Sequence, residues 1–155
     1  YKLDEFTQLW NVLIGNMSLV GPRPNVVSDT DLYTDIEKNL LTVKPGITDF
    51  SSIVFSDEGE ILKEKENPDL SYNQLIRPWK SRLGLVYIKN QSIFLDIQII
   101  FYTIVAIISK PRALIWVTKK LNHLNVDADT VKVSKREADL FPFSPPGSDK
   151  IISSR

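Results

Sequence analysis

Near the start of "YKLDEFTQLWNVLIGNMSLVGPRP" two acids, Asp4 and Glu5, stand side by side. A carboxylate can attack phosphorus and hold it as an acyl phosphate, splitting one hard transfer into two easier ones. A second carboxylate beside it can hold a hard cation such as Mg2+, which offsets the crowding of negative charge around a diphosphate. The same pair also suits a plainer role, because acids near a helix N-terminus interact well with the macrodipole. Cations suited to phosphate follow. Arg23 lies between two prolines in "GPRP", and a guanidinium on a stiff loop makes bidentate contacts with little left to order. A surface arginine on a stiffened turn is the alternative. "VKPGIT" presents Lys44 and, at Gly46, a backbone that a ligand can approach closely. It lacks the GxxxxGK[ST] pattern of a nucleoside-triphosphate loop and reads equally as a Pro-Gly turn. Lys80 and Arg82 in "RPWKSR" are either phosphate-reaching groups or an exposed basic patch.

These groups need elements to hold them. Leu3, Phe6, Leu9, Trp10, Leu13 and Ile14 fall at helical spacing and form one apolar arc, with Asp4, Gln8 and Asn11 opposite and Glu5 on the flank. Gly15 and Asn16 end that period, and the prolines of "SLVGPRP" impose a turn. "DTDLYTDIEKNLLTV" predicts a second short helix, and "KPGITDFSSIVF" a turn leading into an extended stretch rich in β-branched and aromatic residues. The charged segment that follows predicts helix in pieces, broken at Pro68 and Pro78. "SIFLDIQIIFYTIVAIISK" is apolar on nearly every side. Its uncharged part, Ile97 to Ser109, is shorter than the roughly 20 residues of a bilayer span, which leaves a core helix or an interfacial one. "KPRALIWVTKKLNHL" sets Trp116 among bases, a composition compatible with a membrane-surface helix, and the Pro- and Ser-rich "LFPFSPPGSDKIISSR" reads as a disordered tail.

The bulk numbers narrow the field. A chain of 155 residues suits one domain with a real core. Nineteen basic residues balance nineteen acidic ones, so a general positive field for nucleic acid is excluded and any phosphate recognition must be local. Without cysteine, and with His123 as the only histidine, disulfides, thiolate metal sites and multi-histidine sites are excluded. The chain begins at Tyr1 and has one methionine, Met17, so it reads as a fragment.

In this order and at familiar separations, "LDEFTQLWNVLIGNMSLVGPRP", "VKPGIT" and "RPWKSRLGLVYIKNQSIFLDIQIIFYTI" resemble the bacterial monotopic phosphoglycosyl transferases, sugar transferases that initiate capsule, exopolysaccharide and glycoconjugate assembly. The likeness runs from about Leu3 to Ile108. It implies that Asp4 attacks the β-phosphorus of a UDP-sugar, expels UMP, and passes the phosphosugar to a polyprenyl phosphate such as undecaprenyl phosphate. Glu5, with Asp4 beside it, would hold Mg2+, and Arg23 would bind phosphate. Lys44, Gly46 and Thr48, with Lys80 and Arg82, would frame the nucleotide-sugar site, and Asp96 would be structural. Two features depart from the family's pattern: Phe6-Thr7 where a Leu-Pro step is usual after the acids, and "DFSS" where many members have "GWAQ", which leaves the sugar unspecified.

The resemblance further implies a mainly α fold with a minor β element (α+β) and amphipathic helices at the membrane interface, with a re-entrant membrane helix expected upstream of Tyr1. Residues 1–120 would be the C-terminal part of the catalytic domain, and 121–155 a largely flexible extension. The location would be the cytoplasmic face of a bacterial inner membrane. Expected partners are the UDP-sugar, the polyprenyl phosphate, the membrane and other glycan-assembly enzymes, with no nucleic acid. Two other classes stay open at this stage: a catalytically inactive relic or membrane-associated assembly scaffold, and a soluble nucleotide-binding module, which the apolar stretch from Phe94 to Ile108 disfavours.

Overall fold

The computed structural model describes residues 3–23 and 30–154, with side chains in the first helix described from Phe6 onward. That helix, α1 (Leu3–Leu13), follows the 3.6-residue period. It ends where Gly15 takes φ +84°, a left-handed conformation that costs glycine little. Gly15 N then bonds Val12 O, and Asn16 N bonds Asn11 O, closing the last carbonyls of the helix. The apolar arc of α1 is largely open, with Phe6 at 69% and Trp10 at 63% exposure.

Strand β1 (Ser18–Val20) pairs in parallel with β2 (Gly46–Thr48), Ser18 opposite Gly46 and Val20 opposite Thr48. Gly46 lies so tightly against Gly21 that a Cβ there would overlap Gly21 backbone atoms. Gly21 N donates to Thr48 O at 3.0 Å and Gly46 N to Pro22 O at 3.1 Å, which fixes the start of the "GPRP" turn. Its second proline, Pro24, lies outside the described residues.

Between the strands, the expected second helix is a single 3-10 segment, Glu37–Thr42. The extended stretch expected beyond "KPGIT" stops at Thr48 and gives way to α2 (Phe50–Val54). The reason is a strong cap: the Asp49 carboxylate accepts from Ser52 N at 2.8 Å and from the hydroxyls of Ser51 and Ser52, outweighing the β preference of Ile53 and Val54. α3 (Glu58–Lys63) follows, then α4 (Pro68–Ser71), capped by Asn67, whose Oδ1 accepts from Leu70 N at 3.1 Å.

The helical pieces are separated ahead of Pro68, as expected, and Pro68 opens the second of them, as a proline at the first position can. Pro78 does not break the chain. A π-turn, Tyr72–Ile76, leads directly into α5 (Arg77–Asn90), with Pro78 in its first turn. α6 (Ile93–Ile108) is capped by Ser92, and α7 (Lys110–His123) folds back against it, Phe101 stacking on Trp116 with ring centroids 5.3 Å apart. α8 (Ala128–Ser134) starts at Asp127, which caps Thr130 N at 2.8 Å.

The helix α5 is the axis of the core. Trp79, Leu83 and Tyr87 are buried there against Phe50 of α2, Ile99 of α6 and Val117 of α7. The Tyr87 hydroxyl donates to Asp96 Oδ1 at 2.6 Å, tying α5 to α6. Burial, reinforced by that carboxylate, pushes the tyrosine pKa well above its usual value. Asp57 joins three segments by accepting from Lys110 Nζ at 2.8 Å and from both terminal nitrogens of Arg136. α6 is neither wholly core nor wholly surface: Leu95 and Ile99 are buried, whereas Ile93, Ile107 and Ile108 are about four-fifths exposed. No helix among the described residues is long and apolar enough to cross a membrane.

The architecture is mainly α with one small parallel pair, as the α+β expectation has it. Residues of the extension expected after residue 120 pack on this core. Leu121 and Val131 belong to the same core as α5, and Phe143 stacks on Trp79 with centroids 4.6 Å apart. Apolar side chains spaced through the Pro- and Ser-rich tail pay for ordering it, an effect that average composition conceals.

Candidate functional site

A cavity of about 160 Å³ opens between the "GPRP" turn, the 3-10 segment and the first turns of α5; Arg23, Tyr33, Tyr72, Lys80 and Ser81 are on its wall. Arg23 is exposed and follows a turn whose backbone is held by the two strand-end bonds described above. Lys80 comes from α5. Its Nζ donates to Glu58 Oε2 at 2.8 Å and lies 5.4 Å from the Tyr72 ring centroid, so the cation is held by an acid and an aromatic face together. The two cations, 57 residues apart in sequence by their numbers, thus border one cavity.

Behind this wall lies a buried ion pair. The Glu37 carboxylate accepts from Arg77 Nε at 3.1 Å and Nη2 at 2.5 Å, from Ser81 Oγ at 2.7 Å and from Thr34 N at 2.9 Å. Arg77 also donates from Nη1 to Asn73 Oδ1 and from Nη2 to Leu32 O, and packs over the Tyr33 ring. Both side chains are essentially inaccessible, so this arginine is a support for Tyr33 and Ser81 and is not available to an incoming phosphate. Asp49, also on the cavity, has its carboxylate occupied by the cap of α2.

The other expected site residues are placed differently. Lys44 is exposed near Gly15, and its neighbours Val43 and Pro45, not Lys44 itself, border the cavity. Gly46 serves the close approach of the two strands, and Thr48 is buried with its hydroxyl 2.8 Å from that of Thr103 on α6. Arg82 turns to the opposite side of α5. It donates to Pro78 O and Ser144 O, each at 2.9 Å, and stacks over Trp79 and Phe143. Burial lowers its pKa, against the opposing pull of Asp127, Glu37 and Asp129. Asp4 and Glu5 lie in α1, but their side chains fall outside the described residues. Mg2+ was expected on those two acids; among the described residues no group of three or more histidines or acids gathers to hold a metal.

Sequence reasoning missed Glu37, Arg77, Tyr33, Tyr72 and Ser81. One signal was present: Thr34 and Glu37 have the S/T-x-x-E spacing of a capping box, and the structure shows its two reciprocal bonds, Glu37 N to Thr34 Oγ1 at 3.1 Å and Thr34 N to Glu37 Oε2 at 2.9 Å. Nothing local marks the pairing of Glu37 with Arg77, 40 positions away.

Residues 1–110 match the bacterial sugar transferase family, and the chain belongs to it. Among curated relatives, a UDP-glucose:undecaprenyl-phosphate glucose-1-phosphate transferase of Klebsiella pneumoniae is 39% identical over 107 residues, covering 66% of this chain and 20% of that protein. The uncharacterized sugar transferase EpsL of Bacillus subtilis is 37% identical over 103 residues, 66% of this chain and 43% of its own. The galactosyl transferase CpsE of Streptococcus agalactiae is 34% identical over 103 residues, 66% of this chain and 20% of its own. The chain therefore spans between a fifth and less than half of the length of these relatives. No solved structure matches it.

Proposed function

We propose that this chain transfers a sugar 1-phosphate from a UDP-sugar to a polyprenyl phosphate, the first step in assembling an extracellular glycan. The observation that carries the reading is the family match over residues 1–110, which contains the Asp4-Glu5 pair together with both cations of the cavity, Arg23 and Lys80. A carboxylate oxygen of Asp4 attacks the β-phosphorus, the bond to the bridging oxygen breaks, and UMP leaves with that oxygen. A phosphate oxygen of the polyprenyl phosphate then attacks the same phosphorus, forming the polyprenyl diphosphate sugar and releasing the Asp4 carboxylate. Arg23 and Lys80 bind the diphosphate and offset its charge. Mg2+, held by Glu5 with Asp4, would further neutralise the crowded oxygens.

The acceptor is a lipid, and the open apolar faces of α1 and α6 support a seat at a bacterial membrane, on its cytoplasmic side where nucleotide sugars are made. Trp116 beside Lys119 and Lys120 on α7 has the mixed character of an interfacial helix. The test is UMP release from a panel of UDP-sugars with membrane-bound protein, with and without polyprenyl phosphate. Release that rises with the lipid and vanishes in Asp4→Asn is the expected outcome. A folded, membrane-bound wild type that releases no UMP across the panel would instead favour a non-catalytic scaffold.

A further inference from the structure

Beyond the segment matched by the family, residues 140–152 form a strap that runs back over α5. Phe143 N donates to Gln74 O at 3.0 Å. Gln74 stands four residues before Pro78, which has no N–H to give to that carbonyl, so the strap supplies the donor that the proline lacks. Gln74 also grips the strap from its far end, Nε2 donating to Ile152 O at 2.8 Å. Between these two points Arg82 donates to Ser144 O, and Phe143 stacks on Trp79.

The strap also reaches the outer side of the cavity wall. The Thr34 hydroxyl gives its proton to Pro146 O at 2.5 Å, and the same oxygen accepts Glu37 N at 3.1 Å. Each role fixes the other, since one hydroxyl has one proton to give and must present a lone pair to the amide. Through Thr34 the strap holds the capping box, through the box the Glu37 carboxylate, and through that carboxylate Arg77 and Ser81. Tyr33 precedes Thr34, Ser81 Oγ donates to the Glu37 carboxylate, and both residues line the cavity. Gly147 makes the turn at φ +85°, where a Cβ would stand 3.0 Å from Thr34 Oγ1 and 3.1 Å from Ile36.

We propose that this strap is a positioning element for the sugar-nucleotide cavity: it sets the Tyr33–Glu37 wall from outside, so that residues beyond the family's common segment tune how tightly the donor substrate binds. The inference rests on the reading of the cavity as the donor site. It is tested on the membrane-bound chain with Thr34→Val, Gly147→Val and the conservative Thr34→Ser, each checked for folding by near-UV circular dichroism. Thr34→Val and Gly147→Val are expected to raise KM for the UDP-sugar about tenfold, with kcat held within about twofold, the scale of one lost hydrogen bond in a binding step. KM for the polyprenyl phosphate stays unchanged, and Thr34→Ser, which keeps the hydroxyl, restores the wild-type KM. An active wild type whose folded Thr34→Val and Gly147→Val variants keep the donor KM overturns this inference alone. Equal loss of donor and acceptor KM, or failure of Thr34→Ser to rescue, overturns it too. A wild type that turns over no UDP-sugar overturns the donor-site reading and this inference with it.

Discussion

Replacing Glu37 by glutamine removes one charge and no volume from the buried pair behind the cavity. The carboxylate accepts four hydrogen bonds, from Arg77 Nε and Nη2, Ser81 Oγ and Thr34 N. A glutamine amide has one oxygen to accept with, and its NH2 group would face donors where Glu37 has a second oxygen. Arg77, 1% exposed, would keep its charge with no counter-ion. Breaking a buried pair from one side costs about 3–5 kcal/mol, because the surviving charge stays desolvated. In a domain of this size that corresponds to a fall of roughly 10 °C or more in Tm. Removing the charge from the other side as well should recover much of the loss, so Glu37→Gln with Arg77→Met is expected to be more stable than Glu37→Gln alone. Urea unfolding of the two single variants, the double variant and the wild type, followed by tryptophan fluorescence, measures the cycle. A Glu37→Gln variant as stable as the wild type, or a double variant no better than that single one, would refute the assignment of the pair as a desolvated support.

Three further outcomes are expected. Gly46→Ala should prevent β1 and β2 from closing, since the added Cβ meets Gly21 backbone that has no side chain to move aside; soluble expression with unchanged Tm would contradict this. Burial works to raise the Asp57 pKa, but hydrogen bonds and charge from Lys110 and Arg136 outweigh it and hold the group below the usual aspartate value. Its stabilising contribution is therefore present above the unfolded-state pKa and lost as pH falls through the folded one, so Asp57→Asn should flatten the acid limb of a stability–pH curve below about pH 4. Ile107→Asp with Ile108→Asp, both at open positions on α6, should cut vesicle binding by tenfold or more in flotation assays, as burying each isoleucine is worth about 1.5–3 kcal/mol; unchanged flotation would exclude this face from the membrane contact.

Much of the local architecture could be read from residue order. The 3.6-residue period gave α1, and Gly15 its end, because both depend only on neighbours in the chain. Arg23 and Lys80 were recognisable as cations near phosphate-type motifs, and both border the cavity. Arg82 was paired with Lys80 by its place in "RPWKSR", yet on a helix two residues are separated by roughly 200°, so the two cannot face one site once α5 forms. Gly46 was taken for a close approach to ligand; the close approach is real, but it is made by Gly21. Ile53 and Val54 suggested a strand until the cap at Asp49 is taken into account.

What residue order determined by itself was a set of short-range features: the period of α1, its end at Gly15, and which charges are present. Tertiary structure alone decided which of those charges work together. Glu37 meets Arg77 across 40 positions, and Thr34 meets Pro146 across 112, because packing α5 against the 3-10 segment and the strap brings distant backbone into hydrogen-bond range. Only burial among those segments distinguishes a supporting arginine, Arg77, from one that borders the open cavity, Arg23.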